Sequence, residues 1–334
     1  MNNKILLAHG SGGKLTHELI EEGFVKAFAN PLLAELGDSA VMDFSGKLAF
    51  TTDSHVVNPI FFPGGDIGKL AVCGTVNDLA MAGAKPLYLS LAFIIEEGFP
   101  RDELAEIVDS IKETAKAAKV EIITGDTKVV NRGCADKLFI NTAGLGIIPE
   151  NVDIAGDKAR PGDKVILSGT IGDHGIAVLS RREGLSFSTH LKSDCAPLGG
   201  LVAEMLDASP NIHCLRDPTR GGVATTLNEL AGQSGVSIRI EEAKIPVREE
   251  VPAACEMLGF DPLYVANEGK LVAIIAAEDA AKILTAMRAN PYGKDAAIIG
   301  EVTAENPGRV VMKTSVGASR IVDMLVGDLL PRIC

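Results

Sequence analysis

Strand-like and helix-like segments alternate along this chain, and the alternation is interrupted once, at Pro149-Glu150-Asn151, Gly156-Asp157 and Arg160-Pro161-Gly162-Asp163. Before the break, the periodicity predicts strands over 47–52, 87–95, 120–124 and 137–148, with helices over 67–82 and 101–118. Asp53 and Gly125-Asp126 close two of those strands. Pro100 before the second helix and Asp102/Glu103 in its first turn are start signals. After the break the pattern restarts, with strands near 164–168, 236–240, 270–276 and 297–302 and helices near 175–182, 197–208, 222–232 and 278–289. No fixed short period recurs, so a solenoid is excluded. The reading is α/β with mixed α+β sheets, in two domains, 1–153 and 154–322, followed by a flexible tail over 323–334. A length of 334 residues suits two domains.

The tail ends Gly-Asp-Leu-Leu-Pro-Arg-Ile-Cys. A terminal thiol is poorly placed to fill a core, which leaves an accident, a dimer disulfide or a reactive group on a tether. The tail's ~12 residues reach up to about 40 Å when extended, far enough to enter another domain or subunit. Neighbouring carboxylate charge should raise the Cys334 thiol, with Arg332 a partial offset. Pro331 stiffens the approach.

Composition excludes several function classes. Lys and Arg number 32 and Asp and Glu 44, so the net charge is −12, against non-specific nucleic-acid binding. A polyphosphate ligand would then need a divalent cation. Six cysteines without a CxxC pair fit a reduced, cytoplasmic setting. The apolar run over 5–8 is too short for a signal peptide, and that over 87–95 is about half of a membrane span. Aromatic residues make up 4% with no Trp, so the core is mainly aliphatic.

Four stretches can carry chemistry. Ala8-His9-Gly10-Ser11-Gly12-Gly13-Lys14-Leu15 fails as a phosphate loop at Ala8 and Leu15. It is either a flexible start or a segment that meets phosphate when ligand arrives. Asp38, Asp53, Asp66, Asp78 and Asp126 are each ordinary turn formers or helix caps taken singly. As a set beside Gly, Ser, Thr and Asn they favour metal–phosphate binding. Two glycine-containing corners suit an anion at a helix N-terminus: 168–175 (SGTIGDHG) and 216–222 (RDPTRGG), the latter equally a helix start with an internal Arg–Asp pair. Glu268, in Asn267-Glu268-Gly269-Lys270, is either a general base or part of a surface turn. His9, His17, His55, His174, His190 and His213 lack zinc spacing, GxGxxG is missing at 169–172, and no GxSxG elbow occurs.

Together, FTTDS (50–54), GGDIGKLAVCGTVNDLAMAGAKP (64–86), GDTKVV (125–130), SGTIGDHG, RDPTRGGV, NEGKL (267–271) and the terminal PRIC resemble the HypE family of hydrogenase maturation proteins. That family sits in an ATP-binding superfamily with aminoimidazole ribonucleotide synthetase, selenide water dikinase and thiamine-monophosphate kinase. The likeness runs from about His9 to Cys334, and the PRIC ending is its most specific part.

The resemblance implies an aminoimidazole ribonucleotide synthetase-like fold, with first domains pairing in a homodimer and ATP near that interface. It implies that HypF carbamoylates the terminal cysteine and that ATP drives dehydration of the thiocarboxamide to a thiocyanate. The cyano group then passes to iron on a HypC–HypD complex. Carried onto this sequence, it assigns Asp53, Asp78, Asp126 and Asp38 to Mg²⁺–ATP, with Lys69, Asn77 and Gly125 as nucleotide neighbours. Lys128 and Glu268 become cation and base beside the carboxamide on Cys334, and Asp217 and Arg220 phosphate contacts. A small-molecule kinase of this fold and a non-enzymatic assembly partner are the rival readings. Gly10-Ser11-Gly12, where selenide enzymes carry a reactive cysteine, counts against selenophosphate synthesis.

Overall fold

The computed structural model describes residues 4–11, 13–34, 39–182, 190–327, 330 and 332–334; Gly12, Asp38 and Pro331 lie outside the described residues. The first half contains α1 (Lys14–Leu19), α2 (Pro31–Ala34), β1 (Lys47–His55), β2 (Phe61–Phe62), β3 (Gly65–Asp66), α3 (Ile67–Met81), β4 (Lys85–Glu96), α4 (Arg101–Ala118), β5 (Glu121–Val130) and β6 (Leu138–Ile148). Its sheet runs β1-β6-β4-β5, so β1 and β5 are opposite edges. β4 and β5 pair in parallel, and α4 supplies the crossover that parallel pairing requires.

Local chemistry sets α3. Asp66 is its N-cap, accepting from the backbone N–H of Gly68 (2.7 Å) and Lys69 (3.1 Å). That role takes Asp66 out of the metal–phosphate set. α3 has no polar face, because it packs on β1 and β6, on α4, and on a helix of the second half. Ala80 and Met81 even belong to a core centred in that second half. Gly144 on β6 permits the close approach, since a Cβ there would stand 2.8 Å from Thr75 Cγ2. α4 is amphipathic, burying Leu104, Ile107, Val108 and Ile111 at three- and four-residue spacing.

The second half contains β7 (Lys164–Leu167), α5 (Asp173–Leu179), α6 (Gly199–Ala208), β8 (Ile212–Arg216), α7 (Gly222–Ser234), β9 (Ser237–Glu241), α8 (Glu250–Leu258), β10 (Val272–Ile275), α9 (Ala280–Ala289), β11 (Ala297–Thr303), β12 (Val310–Lys313) and β13 (Ser319–Val322). Its mixed sheet runs β13-β12-β9-β11-β7-β10-β8. Among the described residues, no helix is long and apolar enough to cross a membrane.

Three expectations change. Asp53 and Gly125-Asp126 sit inside β1 and β5 rather than at their ends. One face of the sheet is open, so alternating polar residues extend the strands instead of stopping them. β8, α8, β12 and β13 were not anticipated; β8, β12 and β13 are only four or five residues long and give little periodicity. The terminus is not a loose tether here. Leu330 and Ile333 are 7% and 3% exposed, and Cys334 packs against the core shared by α3, α4, β4 and α5. Leu330 and Ile333 are apolar enough to be drawn into the seam between the halves.

Candidate active site

A cavity of about 480 Å³ lies between the halves. On the first-half side it is lined by Asp53, Ser54 and His55 of β1 and by Gly74, Asp78 and Met81 of α3, with two threonines behind the aspartates. Thr51 and Asp53, two apart on β1, share one face of the strand. Thr75 and Asp78, three apart on α3, share one face of the helix. The pairs are cross-linked: Thr75 Oγ1 donates to Asp53 Oδ2 at 3.1 Å, and Thr51 Oγ1 to Asp78 Oδ2 at 2.8 Å.

The second half adds Asp217 and Arg220 from the corner between β8 and α7, together with Glu268. Asn267 ties the corners together. Its Oδ1 accepts from Gly172 N–H at 2.8 Å, and its Nδ2 donates to the carbonyls of Pro218 (2.9 Å) and Val265 (3.0 Å). Glu268 N–H donates to Asp194 Oδ1 at 3.1 Å, and Asp194 pairs with Lys270 at 3.2 Å. Gly269 passes so close that a Cβ would stand 1.9 Å from the Asp194 carbonyl oxygen. A bulkier residue would push Glu268 out of place. Glu268 is buried, and its Oε1 has no hydrogen-bond partner.

The electrostatics follow from packing carboxylates around one partly dry space. Burial, then the charges of Asp53 and Asp217, pushes the Asp78 carboxyl up to about 7. Burial raises Asp53 as well, against the Thr75 hydrogen bond and Arg220. Asp217 is raised by burial, although Thr219 Oγ1 donates to it at 2.6 Å. Glu268 is raised well above the usual carboxyl range by burial, then by Cys195, Asp217, Asp194 and Asp53. Burial takes His55 down to about 4, so its ring is neutral.

The chain end borders this cavity through Cys334. Val56 N–H donates to the main-chain carboxylate oxygen of Cys334 at 3.1 Å and Asn58 N–H to the Arg332 carbonyl at 3.1 Å. Arg182 Nη2 also donates to the Arg332 carbonyl, at 2.9 Å. Arg332 itself reaches Val56 O (2.9 Å) and Asp136 Oδ2 (2.5 Å) and stacks over Phe139. The Cys334 thiol is pushed up to about 12, by burial first and then by Glu268, with Arg220 opposing. The direction agrees with the sequence reading, but the leading cause is the cavity.

Asp53, Asp78, Asp217, Arg220, Glu268 and Cys334 thus meet around one cavity. Other candidates lie elsewhere. Asn77 is 2% exposed and fully used in joining the halves: Nδ2 donates to the Ala196 and Glu268 carbonyls, and Oδ1 accepts from Leu198 N–H. Lys69 Nζ donates to Gly64 O at 2.9 Å and does not line the cavity. Gly125, Asp126 and Lys128 border a separate cavity of about 320 Å³ beside α1. There Lys128 pairs with Asp126 at 3.3 Å, and both side chains are mostly exposed. Arg216 lines the first cavity, where it pairs with Glu229 of α7 at 2.7 Å rather than with Asp217. Sequence reasoning missed Thr51, Thr75, Asp194 and Asn267. Asn267 stood beside a named candidate, whereas Asp194 carries no sequence signal.

Both halves match known domain types. Residues 36–148 match the AIR synthase related protein N-terminal domain and residues 160–313 the corresponding C-terminal domain. A two-domain AIR synthase-like protein with a carboxylate-lined cleft between its halves is the class these features define. The carbamoyl dehydratase HypE of Azotobacter vinelandii is 56% identical over 334 residues, covering 100% of this chain and 98% of that one. A crystal structure of hydrogenase maturation protein HypE in complex with ATP superposes with a TM-score of 0.95 at 51% identity, covering 98% and 99% of the two chains. HypE from a HypE–HypF complex gives 0.81 at 53% identity, covering 92% and 99%. The chain belongs to the HypE family of carbamoyl dehydratases.

Proposed function

We propose that this chain uses ATP to dehydrate its own S-carbamoylated Cys334 to a thiocyanate, supplying the cyanide ligand of a NiFe hydrogenase. One observation carries the reading: the last residue of the chain lines the same cavity as Asp53, Asp78, Asp217, Arg220 and Glu268. The names of its relatives give the reaction class, and ATP is bound in one of them.

The balance is R–S–CO–NH₂ plus ATP giving R–S–C≡N, ADP and phosphate. The carboxamide oxygen attacks the γ-phosphorus, and the bond to the β-phosphate oxygen breaks. One N–H proton leaves to give an O-phosphorylated imidate; the second leaves as the C–O bond breaks and C≡N forms. Glu268 lines the cavity with its Oε1 unpartnered, which places it to take a proton once it is ionised. Arg220 offers a cation to phosphate. Burial of Glu268 and of the tail keeps water from the activated carbon.

Among the described residues, no three His, Cys, Asp or Glu side chains converge as a protein-only metal site. Asp53 and Asp78 nonetheless fit Mg²⁺, which takes one or two carboxylates and draws its other oxygens from water and phosphate. Bound there, Mg²⁺ would offset phosphate charge and relieve the repulsion between the two aspartates.

Asp126 and Lys128 enter through a second copy. Their strand and β1 are three ladder steps apart, roughly 14 Å. Asp126, Ala92, Asn141 and Ser54 form one row across the sheet, on the face away from α3. That face carries Phe50 at 70% exposure, Leu48 at 42% and Ile94 at 44%. An open apolar sheet face of this kind supports a homodimer. Two sheets packed face to face would bring one copy's Lys128 toward the other's Cys334.

A thiol raised to about 12 is protonated when docked, so carbamoylation takes place with the tail outside. HypF, found in complex with a relative, is the proposed carbamoyl donor, and a HypC–HypD complex the acceptor of the cyano group. Mass spectrometry of the C-terminal peptide tests the reading. The carbamoyl adduct should lose one water when ATP is added, and an adduct that persists with ATP would overturn it.

A further inference from the structure

The docked chain end is held by its backbone from both sides. The Arg332 carbonyl and the Cys334 carboxylate turn toward the segment after β1, where Asn58 and Val56 donate. The intervening Ile333 carbonyl is turned toward the second half instead, the chain bending at Arg332, whose φ of 52° is left-handed. It meets His174 Nε2 at 2.8 Å. His174 is 0% exposed, held edge-on against Phe62 with ring centroids 5.4 Å apart.

The hydrogen-bond partners fix the proton on this ring. A carbonyl oxygen only accepts, so Nε2 carries the hydrogen. Nδ1 of the neutral ring is then an acceptor, 2.8 Å from Ser193 Oγ, which donates to it. Ser193 Oγ in turn accepts from Cys195 N–H at 3.0 Å. The hydrogen bonds run one way, from Cys195 through Ser193 and His174 to the tail. When the tail leaves, Nε2–H loses its acceptor inside the protein.

We propose that His174 is a positioning residue that reads the Ile333 carbonyl and fixes the docked register, so that Cys334 and not a neighbour reaches the cavity. This deepens the dehydratase reading, and its rate effect rests on that reading; its effect on tail docking does not.

The experiment uses the full chain with His174→Phe, which keeps a ring without a donor, and His174→Gln, which restores an N–H near Nε2. Iodoacetamide labelling of Cys334 is followed by peptide mass spectrometry against exposed Cys134 as internal standard. Losing one hydrogen bond should raise the Cys334-to-Cys134 labelling ratio about tenfold in His174→Phe, with His174→Gln close to the parent. ATP-driven water loss from the carbamoylated chain should fall in the same order while ATP binding stays unchanged. If His174→Phe does not fold, Ser193→Ala, which removes the donor that fixes the tautomer, should raise the ratio about threefold. An unchanged ratio in the variants that fold overturns the proposal. A raised ratio with no water loss even in the parent upholds the positioning role and sinks the dehydratase reading instead.

Discussion

Asp78 and Asp126 are both carboxylates in the first half of the chain, yet they live in opposite surroundings. Asp78 is cross-linked to Thr51, crowded by Asp53 and Asp217, and raised to about 7. Asp126 lies on the open face of β5, its side chain 61% exposed and paired with Lys128. The first cavity has carboxylates in excess of cations; Asp126 at the strand edge carries its own counter-charge in Lys128. The difference teaches that a set of aspartates in one sequence can divide between an enclosed pocket and an exposed strand.

The largest effect that would sharpen this contrast is expected inside the cavity. Glu268→Gln keeps shape but removes the base, and should slow water loss from the carbamoylated terminus by about 10²–10⁴-fold, read by single-turnover mass spectrometry. A loss below tenfold would show that the buried carboxyl is not the proton acceptor.

A smaller effect is expected at the strand edge. Lys128→Ala should lower the rate by about 10²-fold through loss of a cation at the transferring phosphate. Mixing Lys128→Ala chains with Cys334→Ala chains separates the two arrangements. If Lys128 serves the other copy, mixed dimers regain activity, because a Cys334→Ala chain lends its lysine to an intact terminus. Failure of the mixture, with Lys128→Ala inactive, would place lysine and thiol within one chain and break the contrast.

The smallest effect is on stability. Asp78 is raised on folding, so the folded chain holds a proton that the unfolded chain releases. Its contribution is present below the unfolded pKa and is lost as pH rises toward about 7. The melting temperature of the ligand-free protein should fall by a few degrees, on the order of 1–3 kcal/mol, from pH 5 to pH 8. Asp78→Asn should flatten that slope, as should Mg²⁺–ATP if Asp78 helps to hold it. A slope unchanged in Asp78→Asn would assign the trend to other groups.

Much of this was legible in the sequence where local physics governs. The Asp102/Glu103 start of α4 and the capping alternative for Asp66 needed only periodicity and end signals. The gathering of Asp53, Asp78, Asp217, Arg220, Glu268 and Cys334 followed from family resemblance, since no local rule relates residues from 53 to 334. Asn77 entered as a nucleotide neighbour through the family resemblance alone. Its amide instead joins the two halves, a fact of tertiary packing. Lys128 could not be located because strand order, not sequence spacing, puts β1 and β5 on opposite edges.

Leu330 and Ile333 make the terminus part of the protein's interior, so releasing it opens a greasy slot. Exposing two such side chains costs about 3–6 kcal/mol. The freedom regained by the few liberated residues is worth a similar amount at roughly 1–2 kcal/mol each. The hydrogen bonds to Arg332, Ile333 and Cys334 then tip the balance toward the docked end, so a visiting enzyme must offer contacts of its own to draw it out. Hydrophobic collapse returns it without any further fuel.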